Sequence, residues 1–156
     1  MQIKHNKGFT LIELLVVIAI IGILVAASFF GIQGVFENAR DTQRKSDLKQ
    51  FQNALGVYAS RNNSLYPGRP NGGSTIDLCS YLSLTVCPND PNYDAAIGTP
   101  TYQYRTVDGT NGTPSASAYY LWSIIEATDS DDYWVICSNG KIGVFTGSMG
   151  SGCPLP

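Results

Sequence analysis

Histidine is almost missing from this chain of 156 residues, which has only His5 near its start. Beyond His5 no imidazole remains, so Ser-His and Cys-His catalytic sites and histidine-containing zinc sites are excluded there. No phosphate-binding loop and no carboxylate pair with catalytic spacing is recognisable either. The sequence therefore argues against an enzyme.

Charge is also scarce, and it is distributed unevenly. The chain has 10 basic and 12 acidic residues, and its net charge of −2 does not favour nucleic acid as a partner. Residues 14–32 carry no charged side chain at all. As a helix they would be roughly 28 Å long, close to the thickness of the hydrocarbon core of a bilayer. We expect one membrane-spanning helix here.

Two features distinguish this apolar stretch from an ordinary secretion signal. A short segment with Lys4 and Lys7 ends in Gly8 directly before it, and its first third contains Glu13. A small-residue cleavage pattern at residues 25–27 keeps removal as a signal peptide open as an alternative. Glu13 is an objection to that alternative. A carboxylate at the bilayer centre costs about 2.5 to 3.5 kcal/mol, and a secretion signal gains nothing from it.

The segment from Lys7 to Leu14, which reads KGFTLIEL, resembles the processing and assembly motif of type IV pilins and type II secretion pseudopilins. In that family a prepilin peptidase cleaves after the glycine and methylates the new N-terminal phenylalanine. The resemblance implies cleavage between Gly8 and Phe9 and N-methylation of Phe9. It also identifies Glu13 as the acidic residue of the motif.

Electrostatics is consistent with an assembly role for Glu13 and Phe9. Cleavage would create an ammonium group on Phe9, and a buried carboxylate needs a cation. The Phe9 amine of a neighbouring copy can supply this cation and would select one register between helices, as buried polar residues do in coiled coils. The alternative places Glu13 among lipid headgroups, where the helix dipole favours an anion.

The expected domain organisation has four parts. They are a leader peptide at residues 1–8, a transmembrane and assembly helix at 9–35, the amphipathic half of a helical spine at 36–63 and a globular head at 64–156. Within the head we expect an irregular loop at 64–100, an antiparallel sheet at 101–146 and a disulfide-tethered tail at 147–156.

One helix is predicted from about Thr10 to Arg61, because no strong breaker occurs before residue 62. Its second half carries an apolar stripe at helical spacing, which consists of Leu48, Phe51, Leu55 and Tyr58. On its other faces, charged pairs such as Asp41 with Lys45 are interpreted as a solvated surface.

Four segments near the C-terminus are rich in aromatic and β-branched residues and are separated by turn signals. These predicted strands are residues 102–107, 118–126, 133–138 and 142–146. Asn139-Gly140 predicts a two-residue hairpin between the last two. We therefore predict an α+β fold in which a long N-terminal helical spine packs against a small antiparallel sheet of three or four strands, as in pilins.

Four cysteines, Cys79, Cys87, Cys137 and Cys153, predict disulfides, because the head is expected outside the cytoplasm. Of the three connectivities we favour Cys79–Cys87 and Cys137–Cys153, since these partners are neighbours along the chain. The second pair would resemble the C-terminal disulfide loop of many pilins. Zinc bound by four thiolates is the alternative, although the spacing is unusual for it.

Calcium is the one cofactor that the resemblance suggests, and no other is expected. Asp129, Asp131 and Asp132 crowd one loop, and some pseudopilins bind calcium in a loop near the end of the head. Ordinary turn chemistry is the alternative, since the loop lacks the glycine and the distal glutamate of an EF-hand.

The implied function is that of a structural prepilin subunit of a type IV pilus or a type II secretion-like pseudopilus. Expected partners are copies of itself or other pilins, a prepilin peptidase, a membrane assembly platform driven by a separate ATPase, and the lipid bilayer before assembly. The alternative is a minor pilin or membrane-anchored binding module whose head captures a surface, DNA or a secreted substrate.

Lys4 and Lys7 also predict the orientation in the membrane. Positive residues favour the cytoplasmic side, so we expect a single-pass inner-membrane protein with its N-terminus in the cytoplasm and its head outside. After assembly the subunit would belong to a periplasmic or extracellular filament.

Overall fold

The structure, a computed structural model, describes residues 9–28, 32–99, 101–128 and 131–156. It divides into two compact units, one up to Phe36 and one from Glu37 to Pro156. In chain order the elements are α1 (Leu11–Ser28), α2 (Ile32–Arg61), β1 (Tyr66–Pro67), β2 (Gly73–Ser74), α3 (Leu78–Tyr81), β3 (Gln103–Thr106), β4 (Pro114–Ala116), β5 (Tyr119–Ile124), β6 (Asp132–Cys137) and β7 (Ile142–Thr146).

Helix α1 has the length and composition needed to cross a membrane. It contains 18 residues with a mean hydropathy of 2.8, and none of its side chains is buried. Among the described residues no other helix is both long enough and apolar enough to cross a membrane. The helix predicted from Thr10 to Arg61 corresponds to α1 and α2, and residues 29–31 between them lie outside the described part of the chain.

The apolar stripe of α2 forms the core of the head, as its spacing predicts. Leu48, Phe51 and Leu55 are fully buried in one cluster with sheet residues such as Tyr104 and Leu121. Burying a side chain of this size contributes about 1.5 to 3 kcal/mol. The stripe therefore fixes which face of α2 meets the sheet.

The main sheet is antiparallel and has the strand order β2-β3-β5-β6-β7. The predicted strands 102–107 and 118–126 contain β3 and β5, β6 begins and ends one residue before the predicted strand 133–138, and β7 has the predicted bounds. The additional edge strand β2 has only two residues, and it lies in the segment expected to be irregular. A second sheet pairs β1 with β4. Strands this short are set by their partners, so periodicity could not predict them.

The hairpin between β6 and β7 differs from the prediction. The backbone N–H of Gly140 donates to the carbonyl of Cys137, and that of Cys137 donates to Lys141, so the loop has three residues instead of two. Gly140 has φ +87°, whereas Asn139 is not among the residues with positive φ. The Asn-Gly dipeptide also suits a type I turn followed by a glycine in the left-handed conformation. That loop needs one residue with positive φ, whereas the predicted two-residue loop needs two.

Two disulfides hold the head together. The structure joins Cys79 to Cys87 and Cys137 to Cys153, with Cα atoms 5.7 and 5.9 Å apart, which is the pairing favoured from the sequence. No thiolate is left for zinc. The second bond fixes the C-terminal tail over the sheet face opposite α2, where Met149 and Leu155 pack against an apolar cluster.

Candidate functional site

The N-terminal end of α1 contains the only charged residue of that helix. Thr10 lies one residue before the helix and Glu13 in its first turn. Oε2 of Glu13 accepts hydrogen bonds from the backbone N–H and from Oγ1 of Thr10, each at 2.8 Å. The backbone N–H of Glu13 lies 3.4 Å from Oγ1 of Thr10. This reciprocal arrangement is a capping box, and it satisfies donors that the helix itself leaves unpaired.

The surroundings of Glu13 are apolar. Its neighbours on one face of α1 are Phe9, Ile12, Val16 and Val17, which together line a shallow surface depression. Phe9 is 89 % and Ile12 70 % exposed. Such a surface is stable only against lipid or against another apolar surface. Glu13 would then lose contact with water.

No cation of this helix is available to Glu13. Residues 9–39 contain no lysine or arginine. The bonds from Thr10 stabilise the carboxylate but do not neutralise it. The structure thus brings two of the predicted assembly residues, Phe9 and Glu13, within one helical turn, whereas Gly8 lies outside the described residues. A positively charged side chain that compensates Glu13 therefore has to lie outside residues 9–39.

The head contains a second charged cluster, which is buried. Arg44 on α2 is 1 % exposed and binds Asp90 through two hydrogen bonds of 2.7 and 2.9 Å. It also bonds to Asp41 at 2.7 Å and pairs with Glu126. Arg40 pairs with the same Glu126. Three segments that are distant in sequence therefore meet at one guanidinium.

The bonds in this Arg44 cluster shift the pKa values of Arg44 and Asp41. Burial acts to lower the pKa of Arg44, but hydrogen bonds to Asp90, Glu126 and Asp41 outweigh it and raise the pKa. Burial would raise the pKa of Asp41, yet backbone N–H groups of Glu126 and Ala127, together with Arg44, lower it. These shifts favour the charged forms of Arg44 and Asp41, and the groups of the cluster pair with one another, which fits a structural role better than proton transfer.

Sequence reasoning missed this cluster. It paired Asp41 with Lys45 on a solvated face, and this is wrong, because Asp41 is 4 % exposed and bonds to Arg44. The ammonium of Lys45 instead lies 4.7 Å from the centre of the Trp134 ring. The partners of Arg44 lie 46 and 82 residues further along the chain, so local spacing holds no signal for them.

The predicted calcium loop is only partly described. Asp129 lies outside the described residues, while Asp131 and Asp132 are on or beside β6. Oδ1 of Asp132 accepts a hydrogen bond from Oγ1 of Thr146. In the described part of the chain no group of three metal-binding side chains comes together. Calcium binding stays a prediction.

Comparison with known proteins points to the N-terminal region. The family of the prokaryotic N-terminal methylation motif matches residues 3–29. The chain is 39 % identical over 72 residues to Type II secretion system core protein G of Aeromonas hydrophila, which is 46 % of this chain and 50 % of that protein. It is 34 % identical over 91 residues to the protein of the same name from Pectobacterium carotovorum subsp. carotovorum, with coverages of 58 % and 55 %.

A fimbrial protein is also similar to this chain. The fimbrial protein of Moraxella nonliquefaciens is 28 % identical over 104 residues, 65 % of this chain and 68 % of that protein. The chain spans about half the length of the secretion proteins it matches. No solved structure matches it significantly.

Proposed function

We propose that this chain, which carries the prokaryotic N-terminal methylation motif and is similar over about half its length to Type II secretion system core protein G of two bacteria, is a structural subunit of a helical filament. The filament is either a type IV pilus or a type II secretion-like pseudopilus. Its role is structural, since residues 6–156 contain no histidine and the charged cluster of the head is fully paired.

The observation that carries this proposal is the carboxylate of Glu13 in an otherwise uncharged helix. A membrane anchor that only retains the head would be more stable with an apolar residue at this position. Cleavage after Gly8 provides the missing cation by creating the amine of Phe9. In the filament, Glu13 of one subunit pairs with the Phe9 amine of a neighbour, and the pair fixes the stagger between their helices.

Thr10 stabilises the carboxylate of Glu13 while the subunit is in the membrane before assembly. Its two hydrogen bonds satisfy Oε2 of Glu13 inside the single chain, so the carboxylate is not left without donors. Assembly then adds a charge partner to a side chain that is already oriented. The capping box also holds the first turn of α1 in place, which positions Phe9 and Glu13 relative to each other.

The remaining machinery of the proposal consists of other proteins and the membrane. A prepilin peptidase cleaves and methylates the chain, and a platform with a separate ATPase extracts it from the bilayer. Lys4 and Lys7 keep the N-terminus in the cytoplasm, which leaves the head outside in an oxidising compartment. The two disulfides of the head support that location.

Glutamine at position 13 tests the proposal. Glu13→Gln removes the charge but keeps an oxygen that can accept the bonds from Thr10, since glutamine also serves in capping boxes. We expect at least a tenfold loss of sheared filaments from the source cells, as one missing ion pair in an apolar setting is repeated at every subunit contact. Immunoblots should still show processed subunit in the membrane.

The matched control is Glu37→Gln, which makes the same chemical change outside α1. It should leave the filament yield unchanged. Wild-type filament yield from Glu13→Gln cells would contradict the assembly role of Glu13. Loss of processed subunit in the same cells would instead assign Glu13 to recognition by the peptidase.

A further inference from the structure

The two edges of the main sheet differ in how they are protected. Strand β2 has two residues, and the guanidinium of Arg69 lies across Gly73, within 3 Å of where a Cβ atom would stand. Strand β7, on the opposite edge, has five residues. From Ile142 to Gly150 the chain has no charged residue and no proline. These residues usually prevent an exposed edge strand from pairing with another chain.

The register of β7 shows which of its backbone groups point outward. The N–H of Cys137 donates to the carbonyl of Lys141, and the N–H of Gly147 donates to the carbonyl of Asp131. Hydrogen-bonded pairs alternate along an antiparallel ladder, so Gly143 and Phe145 also bond to β6. The N–H and C=O groups of Ile142 and Val144 therefore face away from the sheet.

These outward groups have no partner in the part of the chain that the structure describes. Strand β7 ends the strand order of the sheet, and the backbone hydrogen bonds outside its ladder do not involve Ile142 or Val144. Their side chains are 42 % and 51 % exposed. They lie on the α2 side of the sheet, opposite Ile136 and Trp134 of β6. The edge of β7 thus presents exposed apolar side chains beside unpaired backbone N–H and C=O groups.

Charges at the two ends of β7 define which charges an antiparallel added strand should carry at its own ends. Lys141 precedes the strand, and Asp131 lies beside its end, opposite Gly147. Both residues are exposed, and neither takes part in an ion pair among the described residues. An antiparallel strand on this edge would start near Asp131 and finish near Lys141. Its favoured sequence begins with a basic residue and ends with an acidic one.

We propose that the open edge of β7 binds an extended segment of a partner protein, which adds to the sheet as a sixth, antiparallel strand. The backbone groups of Ile142 and Val144 supply its hydrogen bonds, and their side chains select apolar residues at alternate positions. A basic residue at the start and an acidic residue at the end of the segment set its register.

A second copy of β7 is a poorer occupant. The favoured segment begins with a basic residue and ends with an acidic one. A second copy of β7 meets only the first condition, because Lys141 precedes it but residues 142–156 contain no acidic residue.

A synthetic peptide tests the edge directly. The probe is the acetylated and amidated heptapeptide Lys-Val-Thr-Val-Thr-Val-Glu, added to the isotope-labelled full chain in detergent micelles. NMR measures the exchange of each backbone amide with and without peptide. We expect slower exchange at Ile142 and Val144, while Gly143 and Phe145, already bonded to β6, change little. This alternation distinguishes strand addition from non-specific contact.

Two variants at one position supply the matched control. Val144→Pro removes an outward N–H and no bond of the β6 ladder, a place where edge strands accept proline. Val144→Thr keeps the N–H. We expect Val144→Pro to weaken peptide binding about tenfold or more, and Val144→Thr to stay within about threefold of wild type. Should Val144→Pro not fold, the peptide with N-methylated valines replaces it, and its failure to bind supports the proposal equally.

Three results would overturn the proposal. One is no protection of Ile142 and Val144 at millimolar peptide. Another is equal binding to Val144→Pro and Val144→Thr. The third is protection that rises with protein concentration without peptide, which would make a second copy the occupant. None of these results depends on filaments, so failure here is distinguishable from failure of the proposed function.

Discussion

The chain places charge in an apolar setting twice, and the two regions satisfy it differently. In α1, Glu13 is held by Thr10, three residues away, through two hydrogen bonds of 2.8 Å and no cation. In the head, Arg44 is neutralised by carboxylates from three separate segments. The first arrangement is local and has no counter-charge among the described residues, whereas the second joins distant segments through ion pairs. In the described part of the chain, Glu13 is therefore stabilised by hydrogen bonds alone and Arg44 by ion pairs.

Removing Arg44 should produce the largest loss of stability in the head. Arg44→Met leaves Asp41 and Asp90 buried without their cation and Glu126 with Arg40 alone, and breaking a buried ion pair costs about 3 to 5 kcal/mol. Denaturant unfolding of the chain in micelles measures it. Arg40→Met is the control, because Arg40 is about one third exposed and, among the described residues, forms an ion pair only with Glu126. This variant should cost less than about 1 kcal/mol. Equal losses of unfolding free energy in both variants would show that the buried ion pairs of Arg44 stabilise the head no more than the partly exposed ion pair of Arg40.

Removal of the C-terminal disulfide should give the second-largest loss of stability. Cys137→Ala with Cys153→Ala opens a bond with a sequence separation of 16 and should cost about 3 kcal/mol in the chain-entropy model. The bond Cys79–Cys87 has a separation of 8 and should be worth about 2.5 kcal/mol. Thermal unfolding of the two double variants gives the comparison. A nearly unchanged midpoint for the first variant would mean that tail packing alone holds Met149 and Leu155.

Acid should weaken the head and leave α1 helical. Asp41 and Glu126 have lowered pKa values in the folded chain, in each case because hydrogen bonds outweigh burial. A carboxyl group of this kind contributes stability above its unfolded pKa and loses it as the pH falls through the folded pKa. Tertiary signals should therefore fade between about pH 5 and pH 2, with far-UV helix signal from α1 retained. A head whose stability is flat over that range would contradict the charged state of the cluster.

A substitution of Asp47 should give the smallest change in stability, and any change should be an increase. Burial is the main reason that its pKa is raised, and the nearby charge of Asp90 adds to this. At neutral pH its ionised form therefore disfavours folding. Asp47→Asn keeps an acceptor for the hydroxyl of Tyr102 and should leave stability unchanged or raise it by up to about 1 kcal/mol. Asp41→Asn, the same change at a carboxylate with a lowered pKa, should instead be destabilising by about 1 to 3 kcal/mol.

The comparison also explains what could be predicted from the sequence. The apolar run, Glu13 and the stripe at Leu48, Phe51 and Leu55 are local patterns with a fixed period, so helix, stripe and membrane segment follow directly. The four main strands were recognisable because their aromatic and β-branched residues alternate between two apolar clusters. The assembly site at Phe9 and Glu13 stays a prediction from the sequence motif.

The rest depends on contacts between distant segments. The pairing of Arg44 with Asp90 and Glu126 exists only once the loop before β3 and the loop after β5 reach α2. The strands β1, β2 and β4 contain two or three residues and form where proline and glycine interrupt every period. Their positions are consequences of the fold and not of their own sequences.

The N-terminus and intact mass of the protein isolated from its own cells distinguish a processed filament subunit from a secreted domain. A processed subunit begins at Phe9, carries one additional methyl group and, with two disulfides, is four hydrogens lighter than the reduced form. A chain that begins at Ser28 would contradict the proposed function, because α1 would then be a discarded secretion signal and Glu13 would have no role in the mature protein.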